Sequence, residues 1–192
     1  MSFEYAVCGF DEVGRGALAG PVVAAAVILK NDIKGLNDSK KISELKRQAL
    51  YNDIMNDALS IAIGIKWSNY IDDYNIKVAS EHAMIDAINQ LSKKPDKIMV
   101  DGFSLDIPIS NEGIIKGDQK IPSIMAASII AKVTRDEIMR SFHYIYPMYD
   151  FLNNKGYGTT KHRTALQKFS FTKIHRQTFE PISSMVNKWI DL

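Results

Sequence analysis

Four short apolar stretches punctuate the chain, at Tyr5–Phe10, Val22–Leu29, Leu59–Lys66 and Lys97–Val100. Each has the length of a strand, and the second and third are rich in Val, Ile and Ala, as expected of a sheet covered on both faces. In the first, Tyr5, Val7 and Gly9 face one way and Ala6, Cys8 and Phe10 the other, and the strand is expected to end where the charges begin. Only the turn Asp11–Gly20 separates the first two stretches, too little for a helical crossover, so they are expected to pair antiparallel. Leu105–Ile109 and Gly113–Ile115 are candidates for an edge strand. Helical spacing is expected over Ser43–Ala58, where Ser43 can cap, and over Lys77–Leu91, with an apolar stripe through Val78, Ala79, Ala83, Ile85, Ala87, Ile88 and Leu91. A third helix follows Pro122 and runs through Met125–Arg140. Beyond Phe142 the chain reads as shorter helices and loops. The order β-β-α-β-α-β with a helical C-terminal part argues for an α/β sandwich around a mixed sheet.

Length and charge narrow this picture. A chain of 192 residues with 46% apolar and 24% charged residues suits one soluble globular domain, residues 1–192, whose part from about 142 on is helical and basic. No apolar run approaches the ~18 residues of a membrane span. Nothing at the N-terminus has the form of a secretion signal, and the sole cysteine, Cys8, falls in the first strand as a buried thiol, so a cytoplasmic location is expected. The net charge of +2 is uninformative, but between Phe151 and Arg176 stand Lys155, Lys161, Arg163, Lys168, Lys173 and Arg176 with no Asp or Glu. Tyr157, Phe169 and Phe171 interleave them, a pattern that fits contact with phosphates and sugars and also fits a solvated helix face.

The candidate chemistry lies at strand ends. In Gly9-Phe10-Asp11-Glu12-Val13-Gly14-Arg15-Gly16, two acids precede a glycine-flanked arginine. Gly14 and Gly16 can bring backbone groups close to a ligand while Arg15 neutralises phosphate. Asp101 follows Ile98-Met99-Val100, and Asp118 lies in Lys116-Gly117-Asp118. Four carboxylates at segment ends can converge on divalent cations of the kind that activate water for phosphodiester cleavage, although acids also collect at strand ends because strand ends meet water. Asp38-Ser39-Lys40-Lys41 can grip phosphate or form a solvated turn. His82 reads as structural and His143 has no evident partner. His162 and His175 can donate to phosphate or pin a loop. Trp67 and Trp189 read as packing residues. No Walker loop, dinucleotide fingerprint, zinc spacing or nucleophile elbow is present.

Taken together, these motifs resemble the bacterial type 2 ribonucleases H, the ribonuclease HII family, from Gly9 to about Pro181. The resemblance rests on Asp11-Glu12-Val13-Gly14-Arg15-Gly16, Gly20-Pro21-Val22-Val23-Ala24-Ala25-Ala26, Asp38-Ser39-Lys40-Lys41, Val100-Asp101-Gly102 and Lys116-Gly117-Asp118. It continues through Ala126–Asp136, Lys155-Gly156-Tyr157-Gly158-Thr159, His162 and His175-Arg176. It implies the ribonuclease H-like fold, a mixed five-stranded sheet flanked by helices with a helical C-terminal segment. It also implies hydrolysis of RNA in RNA–DNA hybrids and incision 5′ of single ribonucleotides in duplex DNA. By position it makes Asp11, Glu12, Asp101 and Asp118 ligands of two Mn²⁺ or Mg²⁺ ions. Gly14, Arg15 and Gly16 become readers of the ribose 2′-hydroxyl, Tyr157 packs on the following sugar, and Lys40 and the His162 region hold the phosphate backbone. Departures are Phe10 where an aliphatic residue is usual, Ser170 where glycine is frequent, and Thr178 where serine is commoner. Ribonucleases HIII usually carry threonine at the position of Arg15, which favours type HII. No clamp-docking peptide is recognised, and a monomer is expected. The competing readings are a non-catalytic hybrid-binding protein of the same fold and a junction-cleaving nuclease such as a resolvase.

Overall fold

The computed structural model describes residues 6–190, with the side chains of Lys188, Trp189 and Ile190 left aside, so the expectations for Tyr5 and Trp189 lie outside the described residues. Five strands form one sheet: β1 (Val7–Val13), β2 (Val22–Ile28), β3 (Ser60–Lys66), β4 (Lys97–Asp101) and β5 (Asn111–Ile114). Their order is β3-β2-β1-β4-β5. The expected hairpin is present, since β1 and β2 pair antiparallel, as do β2 and β3, while β1, β4 and β5 run parallel. Every residue of β2 is buried, which explains its unbroken Val-Val-Ala-Ala-Ala-Val-Ile run.

Helices cover both faces. On one, α2 (Ser68–Gln90) sets Ala83, Met84 and Ala87 against Cys8, Phe10, Ala24, Ala26 and Val100. On the other, α1 (Glu44–Asp57) and α3 (Pro122–Ile145) cover Val23, Ala25 and Val27 with Leu50, Ile54, Ala126, Ala127 and Ile130. Ser43 caps α1 as its sequence suggests, accepting from the Lys46 amide at 3.3 Å, and Pro122 opens α3. The approach of α3 to β1 is set by Gly9, where an added Cβ would stand 2.1 Å from the backbone of Ser123. Beyond α3, the short helices α4 (Phe151–Asn154), α5 (Thr160–Phe169) and α6 (Ile182–Ile190) share a smaller apolar centre built on Leu18, Met139, Tyr149, Phe151, Leu166 and Ile182.

Three local expectations change. The first strand does not end where the charges begin; its ladder with β2 continues through Asp11, Glu12 and Val13, because the buried β2 offers partners up to Val23. The segment Leu105–Ile109 is a loop rather than a strand. A parallel β5 requires the chain to return to the same end of the sheet, so residues 102–110 serve as the crossover, pinned by Asn111, whose side chain bonds Leu105 and Ile109. The second helix begins at Ser68, well before Lys77, and bends at Asn75 (φ 66°, ψ 165°), whose side-chain oxygen caps the amides of Lys77 and Val78. Trp67 is 45% exposed and packs edge-on against Phe142.

Candidate active site

The register of the sheet assembles the acids. Phe10 pairs with Val100 across β1 and β4, so the next residue on each parallel strand, Asp11 and Asp101, stand side by side. Asp101 Oδ1 accepts the Gly117 amide at 2.7 Å, which anchors the 3-10 turn Gly117–Gln119 carrying Asp118. Asp11 shares the α3 face of Gly9 and accepts the Glu12 amide at 2.7 Å. Ser128 of α3 hydrogen-bonds Asp11, and its hydroxyl lies 2.8 Å from that of Ser39.

Burial and mutual repulsion dominate the electrostatics. Burial pushes the Asp11 carboxyl up to about 8, with the charges of Glu12 and Asp101 adding to the shift. Glu12 is raised chiefly by burial, against the opposing pull of Arg15, whose Nη1 donates to Oε1 at 2.9 Å. Asp118 is raised by burial, then by the charges of Asp101 and Asp38, with Lys40 and Lys41 pulling the other way. Asp101 therefore acts on each of the other three acids, and the four expected residues do come together. Asp38 joins them. It is buried, accepts the Lys40 amide at 2.9 Å and receives Gln119 Nε2 at 3.4 Å. A lone acid in a Lys-rich turn gave no sequence signal of that placement.

Among the described residues no three acids or histidines close into one tight ligand cluster. The donor set nevertheless suits a hard divalent cation. It consists of carboxylate oxygens, and burial and neighbouring negative charge oppose ionisation of Asp11, Glu12 and Asp118, the condition a cation relieves. Beside them opens a cavity of about 370 Å³, lined by Asp11, Glu12, Lys40, Lys132 and Tyr157 with Ser39 and Ser128. It combines an acidic floor with a basic rim. Lys132, which periodicity alone reads as part of a helix, is held there by Asp136 at 2.8 Å.

The Gly14–Gly20 loop follows directly on Val13, which lines the cavity. Gly14 has φ +95°, and a Cβ there would meet Arg135 Nε at 2.1 Å, so only glycine fits. Gly16 and Arg15 face solvent. Two arginines hold the loop from beneath. Arg176 donates to the carbonyls of Gly14 (2.7 Å), Arg15 (2.7 Å) and Gly20 (3.0 and 3.2 Å). Arg135 donates to those of Pro21 (2.9 Å), Ala19 (3.1 Å) and Lys155 (2.8 Å), and its guanidinium lies 5.3 Å from the Tyr157 ring centre.

Two expectations for the basic segment are corrected. Arg176 is fully buried, so it is a scaffold cation and not part of a phosphate-facing surface. His162 is also fully buried, with Nε2 3.0 Å from His175 Nε2 and Nδ1 3.0 Å from the Tyr157 carbonyl. Its imidazole pins the loop and meets no phosphate. Burial lowers the basicity of both histidines, His175 to about 3, so the pair is neutral near pH 7. Lys155, Lys161, Arg163, Lys168 and Lys173 remain at least partly exposed. Cys8 is buried and its thiol pushed up to about 12, which makes it inert. His82 bonds Tyr70 at 2.6 Å, a structural contact.

The sequence profile of the family described as ribonuclease HII matches residues 8–182 of this chain. The chain belongs to the ribonuclease HII family. Ribonuclease H2 from Pyrococcus horikoshii OT3 has a similar structure, with a TM-score of 0.84 and 24% identity over 97% of this chain and 100% of that one. The RNase HII of Archaeoglobus fulgidus, solved as a complex with PCNA, aligns with a TM-score of 0.78 and 22% identity over 91% and 95% of the two chains. Bst-RNase HIII, solved with Mn²⁺, gives 0.72 and 17% over 95% and 70%. These likenesses establish the ribonuclease H-like fold for the family member described here, and family membership makes it a ribonuclease H. Among the described residues no helix is long and apolar enough to cross a membrane.

Proposed function

We propose that this ribonuclease HII family member hydrolyses RNA in RNA–DNA hybrids and incises duplex DNA 5′ of a single embedded ribonucleotide, leaving 3′-hydroxyl and 5′-phosphate ends. The observation that carries the proposal is the opening of buried acids onto a cavity lined also by Lys40, Lys132 and the Tyr157 ring, next in the chain to the glycine-flanked Arg15. Asp11, Glu12, Asp101 and Asp118 are the proposed ligands of divalent ions, Mn²⁺ or Mg²⁺. Two such ions, when bound, supply an activated water and stabilise the leaving oxygen.

The chain's own groups do the rest. Gly14, Arg15 and Gly16 approach the sugar without a side-chain barrier and read its 2′-hydroxyl, the one group that separates RNA from DNA at a single nucleotide. Because that contact is to sugar and phosphate, recognition is independent of base identity. Tyr157 packs on the next sugar, where a deoxyribose offers an apolar face. Lys40 and the exposed bases of residues 155–173, within a C-terminal extension from about residue 142, carry the phosphate backbone. The chain acts as a monomer on nucleic acid, and no clamp-docking peptide is recognised in its sequence.

The decisive assay uses a labelled duplex with one ribonucleotide, beside an all-DNA control, with Mn²⁺ or Mg²⁺. A single cut 5′ of the ribonucleotide, lost with EDTA and absent from the control, is expected. Cleavage of the control, or none of either duplex, would overturn the reading. Asp118→Asn should abolish cleavage while hybrid binding in a gel-shift titration stays within about threefold, the separation expected when only the catalytic step is lost.

A further inference from the structure

Arg135 and Arg176 are the two largest fully buried side chains among the described residues. Among the described residues every hydrogen bond they make ends on a backbone carbonyl, and Asp136 acts on Arg135 and Asp72 on Arg176 through charge alone. Burying a guanidinium without a hydrogen-bonded carboxylate is costly, and an apolar side chain of similar volume would serve packing better. The fork geometry is what an apolar residue or a lysine lacks.

That geometry fixes the direction of two successive peptide groups. In a trans peptide the carbonyl and the following N–H point to opposite sides. Arg176 Nη2 draws the Gly14 carbonyl inward, so the Arg15 N–H points outward; Nη1 draws the Arg15 carbonyl inward, so the Gly16 N–H does the same. Neither amide has an internal acceptor among the described residues, and nothing stands within 4 Å of where a Gly16 Cβ would be. Two adjacent outward amides form a site for an oxygen ligand. Arg135 then ties the far end of the same loop, through Ala19 and Pro21, to Lys155 and the ring of Tyr157.

We infer that Arg176 and Arg135 are positioning residues for ribose recognition: Arg176 sets the direction of the Arg15 and Gly16 amides, and Arg135 sets the spacing between that loop and Tyr157. The inference rests on the proposed incision at ribonucleotides and assigns its selectivity to two side chains that never touch substrate. In Arg176→Lys a single ammonium replaces the fork, and the two carbonyls are no longer both held. Turnover on the single-ribonucleotide duplex should then fall at least tenfold in kcat while KM moves less than threefold. Binding of an all-DNA duplex should not change. Arg135→Lys should instead cost more on the single-ribonucleotide duplex than on a uniform hybrid, because only the former depends on the loop-to-tyrosine spacing at one junction.

A lowered Tm with unchanged kcat in both variants would make the arginines structural only and overturn the inference. If the variants fail to fold, the wild-type protein decides by NMR without divalent ions. The Arg15 and Gly16 amides and the Arg176 guanidinium protons should shift on adding the ribonucleotide duplex and not the all-DNA duplex. Equal shifts with both, or none, would reject it. Failure of the wild type to incise the ribonucleotide duplex would instead reject the underlying function, so the two failures are distinguishable.

Discussion

Asp11 is an acid buried where its charge is unwelcome, and that sets a pH dependence. Burial, and then the charge of Glu12, pushes its carboxyl up to about 8 from an ordinary 3.8. The folded protein therefore holds this proton more tightly than the unfolded chain. The resulting stability is fully present below the unfolded value and is lost as pH rises through the folded one. Ion-free protein should lose thermal stability between about pH 4 and pH 8, and Glu12 and Asp118, shifted in the same direction, add to the trend. Added Mn²⁺ should raise Tm more at pH 8 than at pH 5. Equal rises at the two pH values in melting curves with and without EDTA would contradict this. Tyr157→Ala should reduce cleavage of the single-ribonucleotide duplex at least tenfold more than that of a uniform hybrid, and equal losses would remove its junction role. At this scale the four acids were legible, because charge at the end of an apolar run is conspicuous. Arg135 and Arg176 were not, since a buried scaffold cation and a solvated one look alike until the carbonyls they hold are located.

The elements are shaped by a few positions where backbone and side chain conflict. Ser170 ends α5 at φ 65°, ψ −158°, a region that favours glycine, at the position where the family resemblance calls for glycine. Ser170→Gly should raise stability by about 1 kcal/mol in chemical denaturation with cleavage unchanged; a loss would show that the serine contributes something other than strain. Gly64 is the reverse case. A Cβ there would lie 1.8 Å from the Ala83 carbonyl of α2, so Gly64→Ala should cost about 3 kcal/mol or more by the same measurement. The apolar periods located four strands to within a few residues and left the fifth between two candidate segments, and strand ends were misplaced where tertiary pairing overrode local polarity. Asp11, Glu12 and Val13 stay in the ladder because β2 is long enough to hold them. Residues 105–109 have the alternation of a strand and are consumed by a crossover, a demand that arises only once β4 and β5 are known to be parallel.

At the scale of the molecule, the sheet order makes the site by setting β1 beside β4, a non-local pairing that no stretch of sequence announces. The C-terminal segment leaves Lys161, Arg163, Lys168 and Lys173 exposed, Lys161 alone of them pairing with an acid, Asp150 at 3.4 Å, among the described residues. Binding of any duplex should weaken with salt, log K falling linearly with log salt concentration at a slope near −0.9 per phosphate contact. Replacing Lys168 and Lys173 by Gln should make that slope shallower without altering the ratio of cleavage between ribonucleotide and all-DNA duplexes, as filter binding across salt concentrations and a parallel cleavage assay would read. The bonds from Arg176 to Gly14 join residues 162 positions apart in the chain. A ribosome therefore adds Asp11, Glu12, Asp101 and Asp118 long before Arg176, the residue proposed to align the loop. On the proposed roles, a chain ending before Arg176 would contain every proposed ligand acid and lack the donor that holds the Gly14 and Arg15 carbonyls, so selectivity would be the last property the nascent protein acquires.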